Sequence, residues 1–311
     1  MAKNTGKKKK LNPIAIIIFL IIVSLGYMVS LYFDTANAPP AETSTPTTPE
    51  ITISSGELGE VEYHFIDVGQ GDATLIRTPD GDILIDAGEN SAEEDLKNYL
   101  DLCGVEVLYY AVFTHPDSDH IGGADMVLAE YEVLNIIKPE LEKDTKVYTR
   151  MMEAIEAEGC TVYNALPGET YSLGAFDMFI FGPDPDNKKL DSNNSSIVIK
   201  ATWGNTTAML TGDAEEPAEE SIHATFSAGE LGSMLLKVGH HGSKTSSTDA
   251  WLAAVRPTIA VISCGKNNSY GHPHAEALAR IIPYVGENIY RTDELGSIVF
   301  ITDGETFSYQ N

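Results

Sequence analysis

Positive charge is what this 311-residue chain has least of: 20 lysines and arginines stand against 46 aspartates and glutamates, a net charge of −26. Five of those lysines, Lys3 and Lys7 to Lys10, fall within residues 1–33, which hold no acid. The remainder has 15 basic against 46 acidic residues, or about −31. A domain that acidic repels polyanions at long range, which argues against a protein that lives bound to DNA. Cysteine is scarce too. Cys103, Cys160 and Cys264 are odd in number and widely spaced, so they specify no disulfide framework. No internal repeat is visible. What remains is globular in composition, 43% hydrophobic and 8% aromatic, with ample length for a buried core.

The chain's basic residues concentrate where they set a location. A lysine cluster in residues 1–13 precedes an uncharged apolar run from Ile14 to Phe33, the roughly 20 residues that a membrane-spanning helix needs. Lysines stay on the cytoplasmic side, so the expectation is a single-pass anchor that exports everything after Asp34. The competing reading is a signal peptide cleaved after Ala36-Asn37-Ala38, which would release a secreted form. The length of the apolar run and the Pro39 that follows the candidate site favour the anchor. Residues 34–58, rich in Pro, Thr, Ser and Glu, read as a flexible tether. Residues 59–311 then form one domain.

In that domain VEYHFIDVGQGDATLIRTPDGDILIDAG reads as three strands, with PDGD as a hairpin turn. Ser91-Ala92-Glu93-Glu94 reads as a capping box opening a helix that stops near Cys103-Gly104. Residues 107–114 form a buried strand. Further strands are expected around 133–137, 160–163, 177–181, 196–203, 206–211, 233–238, 258–263 and 297–302. Helices are expected over 122–129, 146–158, 214–227, 247–254 and 274–283. Polar clusters repeatedly sit just after strands, where α/β proteins build sites on loops.

Four such clusters carry chemistry. Thr114-His115-Pro116-Asp117-Ser118-Asp119-His120-Ile121-Gly122-Gly123 packs two histidines and two aspartates into six positions. Thr211-Gly212-Asp213 follows an apolar strand, as does His240-His241-Gly242-Ser243. Tyr270-Gly271-His272-Pro273-His274 is the fourth. Each alone has an ordinary reading: a solvated acidic turn, a Gly-Asp turn, a structural histidine pair, a helix cap. Together they gather imidazoles and carboxylates, the ligands of a divalent metal site.

This series, H-x-D-x-D-H before Gly-Gly, then T-G-D, then H-H-G-S, resembles the metallo-β-lactamase fold. More closely it resembles the exported hydrolase domain of ComEC-type DNA-uptake (competence) proteins, over roughly residues 60–309. The resemblance implies an αββα sandwich, of α/β class, with two divalent metal ions, Zn²⁺ or Mn²⁺, in a cleft at one edge. It implies His115 and Asp117 on one ion, Asp119 and His120 on the other, and Asp213 between them. One histidine of the HHGS pair, taken as His241, completes the second site. Which of His240, His241, His272 and His274 are ligands stays open. Two departures from the wider fold stand out: Asp117 replaces a histidine, and Asn193-Asn194-Ser195-Ser196 stands where another histidine is usual.

An aspartate at 117 brings the site near neutrality and widens its tolerance from Zn²⁺ toward Mn²⁺. Paired ions about 4 Å apart suit the in-line displacement of phosphodiester cleavage. Gly122 and Gly123 let a helix start against the metals and aim its amides at an anion. Asp119, His240 and His272 are the candidate catalytic residues, the two histidines as general acids for the leaving group. Asn194, Ser243 and Lys244 are candidate phosphate donors, and Lys188, Lys189, Lys200, Lys237 and Lys244 a candidate basic stripe. The leading expectation is an exported, membrane-tethered phosphodiesterase, a nuclease acting on DNA. The alternatives are a hydrolase of a small or wall-linked phosphodiester, similar to phosphorylcholine esterases, and a non-catalytic metal-holding partner domain. A β-lactamase fits less well, because lactam-opening sites are richer in histidine. The chain has no multi-helix channel of the ComEC type, so transport is not its expected role.

Overall fold

The computed structural model describes residues 58–186 and 191–310. The basic tail, the apolar run 14–33 and the tether up to residue 57 lie outside these residues, as do Lys188 and Lys189. Among the described residues no helix is long and apolar enough to cross a membrane.

Strands β1 (Val61–Phe65), β2 (Thr74–Thr78), β3 (Gly81–Ile85), β4 (Val107–Val112), β5 (Glu132–Lys138) and β6 (Thr161–Asn164) build a first sheet. The chain then lays down β7 (Thr170–Leu173), β8 (Phe176–Gly182), β9 (Val198–Trp203), β10 (Thr206–Leu210), β11 (Leu235–Lys237), β12 (Ile259–Ile262) and β13 (Ile289–Arg291) as a second. It returns to the first sheet with β14 (Ile298–Thr302) and β15 (Phe307–Gln310). The first sheet runs β15-β14-β1-β2-β3-β4-β5-β6, and the second β13-β12-β11-β10-β9-β8-β7.

Period-two alternation explains the layers. Ile83 and Ile85 of β3 and Ala208 and Leu210 of β10 enter a shared core between the sheets, with Tyr63, Phe176 and Trp203. Their neighbours point the other way. Leu75, Leu84 and Ala111 of the first sheet meet Leu96, Val127, Met151 and Ile155 of helices Glu93–Leu102, Ala124–Glu130 and Lys146–Glu158. Val198, Met209 and Leu236 of the second sheet meet Ile222, Leu252 and Ile281 of helices Glu216–Thr225, Asp249–Val255 and Ala275–Val285. Both faces of each sheet are therefore covered, and the architecture is the expected αββα sandwich.

Three expectations are corrected. The helix after Ser91 has no capping box: a 3₁₀ turn over Asn90–Ala92 precedes it, and Ser91 Oγ donates to Glu89 instead. The first helix after β4 does not begin at the glycine pair, although Gly123 is the N-cap of the second. A four-residue helix, Ser118–Ile121, starts earlier, and the next begins at Ala124. Gly122 and Gly123 have ordinary negative φ, and their role is close approach. A Cβ on Gly122 would run into the backbone of Glu89 and Asn90, and one on Gly123 would lie 2.6 Å from the carbonyl oxygen of Ala87. Finally, β7, β13 and β15 were not expected. All three are sheet-edge strands, only half covered, with a weak apolar signal.

Candidate metal centre and active-site cleft

β3, β4, β10 and β11 end beside one another, and the loops that follow them carry Asp86, the 114–123 cluster, Asp213 and the histidine pair. Ligand atoms of Asp119, His120, Asp213 and His241 all lie within 4.8 Å of one another. Nε2 of His120 is 3.1 Å from Asp213, and Nε2 of His241 is 3.5 Å from Asp213 and 3.4 Å from Asp119. His115 is fully buried beside this group, its ring 4.1 Å from that of His120.

The tautomers of His120 and His241 follow from what lies behind them. Nδ1 of His241 sits 3.0 Å from the Ser263 carbonyl, which only accepts, so Nδ1 donates. Nδ1 of His120 is 2.7 Å from the Asp86 carboxylate and donates to it. Thr114 Oγ1 gives its proton to Asp86, at 2.7 Å, and both Thr114 Oγ1 and Ser196 Oγ lie 3.2 Å from Nδ1 of His115. Nε2 of His120 and of His241 therefore faces the carboxylates of Asp213 and Asp119. These two atoms, together with Nε2 of His115 and Oδ1 of Asp213, are buried without a well-aligned hydrogen-bond partner among the described residues. Orphaned buried polar atoms are costly, about 1–3 kcal/mol each, and the convergence of His120, His241 and Asp213 with Asp119 suits a bound cation.

Charge tells the same story. Burial opposes ionisation of Asp213, yet His241 and His120 hold its carboxyl well below the usual range. Burial would lower His120, but Asp213 and Asp86 on either side raise it well above an ordinary histidine. His241 likewise is raised to about 10, against burial, by Asp213 and Asp119. The carboxylates demand positive charge at this point. A divalent ion fits that demand and the mixed nitrogen and oxygen donors. His115 goes the other way, pushed to about 3 by burial and by His120, and stays a neutral imidazole.

The backbone around the donors is strained to present them. His240 and His241 both adopt left-handed φ, 47° and 53°, which costs a non-glycine residue roughly 1–3 kcal/mol. Hydrogen bonds from His240 N to Gly212 O (3.1 Å) and from Ser246 Oγ to Gly239 O (2.6 Å) hold the turn. Beneath it, Lys237 is buried with its Nζ 2.7 Å from Asp72, joining the two sheets.

Not every expected site residue arrives here. Asp117 lines the cleft but is engaged by Lys143 Nζ and Ser192 Oγ, outside the group of four. His272 lines it as well. His274 does not: its Nδ1 accepts from the backbone of Lys244 at 3.0 Å, at the start of helix Ala275–Val285. Asn194 is buried under the loop with its amide engaged, accepting from Glu215 N and Ala218 N and donating to Asp191. Ser243 pairs with Thr245 at 2.8 Å, and Lys244 is exposed away from the cleft lining. The basic stripe does not form among the described residues, since Lys237 is spent on Asp72 and Lys200 on the Glu230 carbonyl.

Sequence reasoning missed Asp86, Glu215 and Lys143. Asp86 follows a strand in ILIDAG, the same strand-end signal that flagged the other clusters. Glu215 stands two residues after Asp213, and its Oε1 takes a 2.7 Å hydrogen bond from His240 Nδ1. Lys143 lies in a loop with no local signal, and among the described residues it is the one lysine or arginine lining the cleft.

Fold and donor set together define a metal-dependent hydrolase, and the chain belongs to the metallo-β-lactamase superfamily, whose sequence profile matches residues 66–266. Among its relatives are competence proteins. It is 30% identical over 262 residues to the ComE operon protein 3 of Bacillus subtilis, covering 78% of this chain and 33% of that one. It is 32% identical over 236 residues to the competence protein ComA of Neisseria gonorrhoeae, covering 75% and 31%. The chain thus spans about a third of the length of these relatives. In fold it is similar to the metallo-beta-lactamase fold protein YhfI from Bacillus subtilis, with a TM-score of 0.52 at 10% identity, covering 78% of this chain and 100% of that one.

Proposed function

We propose that this domain is an exported, membrane-tethered phosphodiester hydrolase, and that it works as a nuclease on DNA during uptake. The observation that carries the reading is the convergence of donor atoms of Asp119, His120, Asp213 and His241 beside the cleft, in a chain whose relatives are named as competence proteins. Asp119, His120, Asp213 and His241 would hold a divalent ion, with His115 beside them. A bound ion would neutralise phosphoryl charge and ease deprotonation of an attacking water.

The chain's own residues supply the rest. Glu215 takes the Nδ1 proton of His240, which turns Nε2 toward Asp213 at 3.8 Å and into the cleft. His240 is thereby placed to pass a proton to a departing alkoxide. His272 is suited to a different task. Burial and the neighbouring histidines push it down to about 4, so at neutral pH it accepts hydrogen bonds and has no acidic proton to give. Lys143 offers positive charge to a phosphate once released from Asp117. The lysine cluster and the apolar run 14–33 support the tether.

The scarcity of cations in the cleft favours a second reading, a small or wall-linked phosphodiester in place of DNA. One assay separates the two. The full chain in detergent, with Mn²⁺ or Zn²⁺, is offered DNA, bis-p-nitrophenyl phosphate, phosphorylcholine esters and nitrocefin. DNA cleavage that is lost in Asp213→Ala is the expected outcome. Turnover of the small esters alone would replace the nuclease with the second reading. The tether is checked separately, by protease added outside intact cells; recovery of a soluble form beginning at Pro39 would show cleavage instead.

A further inference from the structure

Tyr270 stands at the mouth of the cleft with 65% of its surface exposed. A single exposed aromatic is ordinary, but this ring is held in position. It lies against His272, with centroids 5.6 Å apart and planes 22° from parallel. The loop beneath it is closed by Asn268, whose Oδ1 accepts from the backbone N–H groups of Tyr270 (3.2 Å) and His272 (2.9 Å). The same side chain donates to the carbonyls of Gly265 (2.9 Å) and His272 (2.6 Å). His272 in turn stacks over His241 at 6.2 Å and 24°. Two ring-to-ring steps therefore lead from the open face of Tyr270 to a donor of the metal centre.

Resting on the nuclease reading above, we propose that Tyr270 is a stacking platform for the nucleobase beside the scissile phosphate, and that the substrate is single-stranded nucleic acid or an unpaired end. Within a duplex both faces of a base are covered, and only an unpaired base presents its face to an aromatic side chain. The charge pattern points the same way. Duplex binding draws its affinity from many phosphate contacts and the counterions they release, and this cleft has one lysine, itself paired with Asp117. Stacking needs no cationic surface. A choline-like quaternary ammonium group would call for several enclosing rings. Among the described residues, Tyr270 is the one phenylalanine, tyrosine or tryptophan lining the cleft.

The test compares kcat/KM of the full chain on a short single-stranded oligodeoxynucleotide with that on its abasic counterpart. Tyr270→Ala and Tyr270→Leu should each shrink the intact-to-abasic ratio, on the order of fivefold to a hundredfold, the worth of one stacked base. Tyr270→Phe should keep it, since the ring remains. A ratio identical in wild type and Tyr270→Ala, with both substrates cleaved, would overturn the platform and leave the nuclease standing, as would faster cleavage of a duplex than of its single strand. Failure to cut any oligonucleotide, with bis-p-nitrophenyl phosphate still hydrolysed, would overturn the nuclease reading and the platform with it.

Discussion

Asp86 accepts a 2.7 Å hydrogen bond from Nδ1 of His120, and that contact decides which nitrogen of the ring faces Asp213. The same carboxylate takes the backbone N–H and the hydroxyl of Thr114, each at 2.7 Å. One buried side chain thus sets the orientation of His120 directly and fixes Thr114, which with Ser196 flanks Nδ1 of His115. Burial raises the Asp86 carboxyl, and the charge of His120 pulls it back.

Asp86→Asn should therefore weaken metal binding without removing a donor. Outer-shell partners of this kind are worth roughly 10- to 100-fold in affinity. Titration of the metal-free protein against a chelator of known affinity would measure it. An affinity equal to wild type would show that His120 is oriented by other contacts.

Asp213 and Asp117 should separate cleanly. Asp213 lies between the histidines of the centre, whereas Asp117 is held by Lys143 and Ser192. Asp213→Ala is expected to lose the bound metal, and Asp117→Asn to retain at least one ion per chain. Elemental analysis of both purified variants decides. Metal-free Asp117→Asn protein would mean that this carboxylate swings in when the ion binds.

Glu219 predicts a pH signature away from the centre. It is buried, and its carboxylate accepts from Ser247 N (2.6 Å), Thr248 N (3.0 Å) and Thr248 Oγ1 (2.6 Å). Burial pushes it up to about 7 from its ordinary 4.5. A carboxyl raised on folding binds a proton in the folded state before the unfolded one does, so its contribution is full below pH 4.5 and declines as pH rises through 7. Glu219→Gln has no such proton to lose. Its stability relative to wild type should improve between pH 5 and pH 8, by at most about 3 kcal/mol for that shift. Urea unfolding at both values, compared between the two proteins, gives the answer; a difference that does not change with pH would contradict it.

Gly122→Ala tests the close approach of the site loop to residues 89–90. The added Cβ would meet backbone atoms, which yield less readily than a side-chain end. A loss of about 1–3 kcal/mol is expected from such overpacking, with metal affinity falling as His120 is displaced. Thermal unfolding within a degree of wild type would show that the loop relaxes freely.

Much of this was legible in the chain itself. Strand alternation is local, so β1 to β5 and β8 to β12 could be read from period-two runs, and the hairpin from Pro79-Asp80. The candidate donors were legible for a related reason: Asp119, His120, Asp213 and His241 lie in loops that follow apolar strands, and each short motif holds residue types that can bind a metal. What sequence could not decide was which side chains meet. Asp117 sits two positions from Asp119, yet it faces Lys143, 26 residues away, and Ser192, 75 away. Lys237 looked like a free surface cation and is buried against Asp72, 165 residues earlier. Asn194 looked like a phosphate donor and has its amide engaged on Asp191, Glu215 and Ala218. Local pattern reports how a segment satisfies its own backbone and apolar face. The partner of a polar side chain depends on where two sheets bring distant loops together, and only the tertiary structure holds that information.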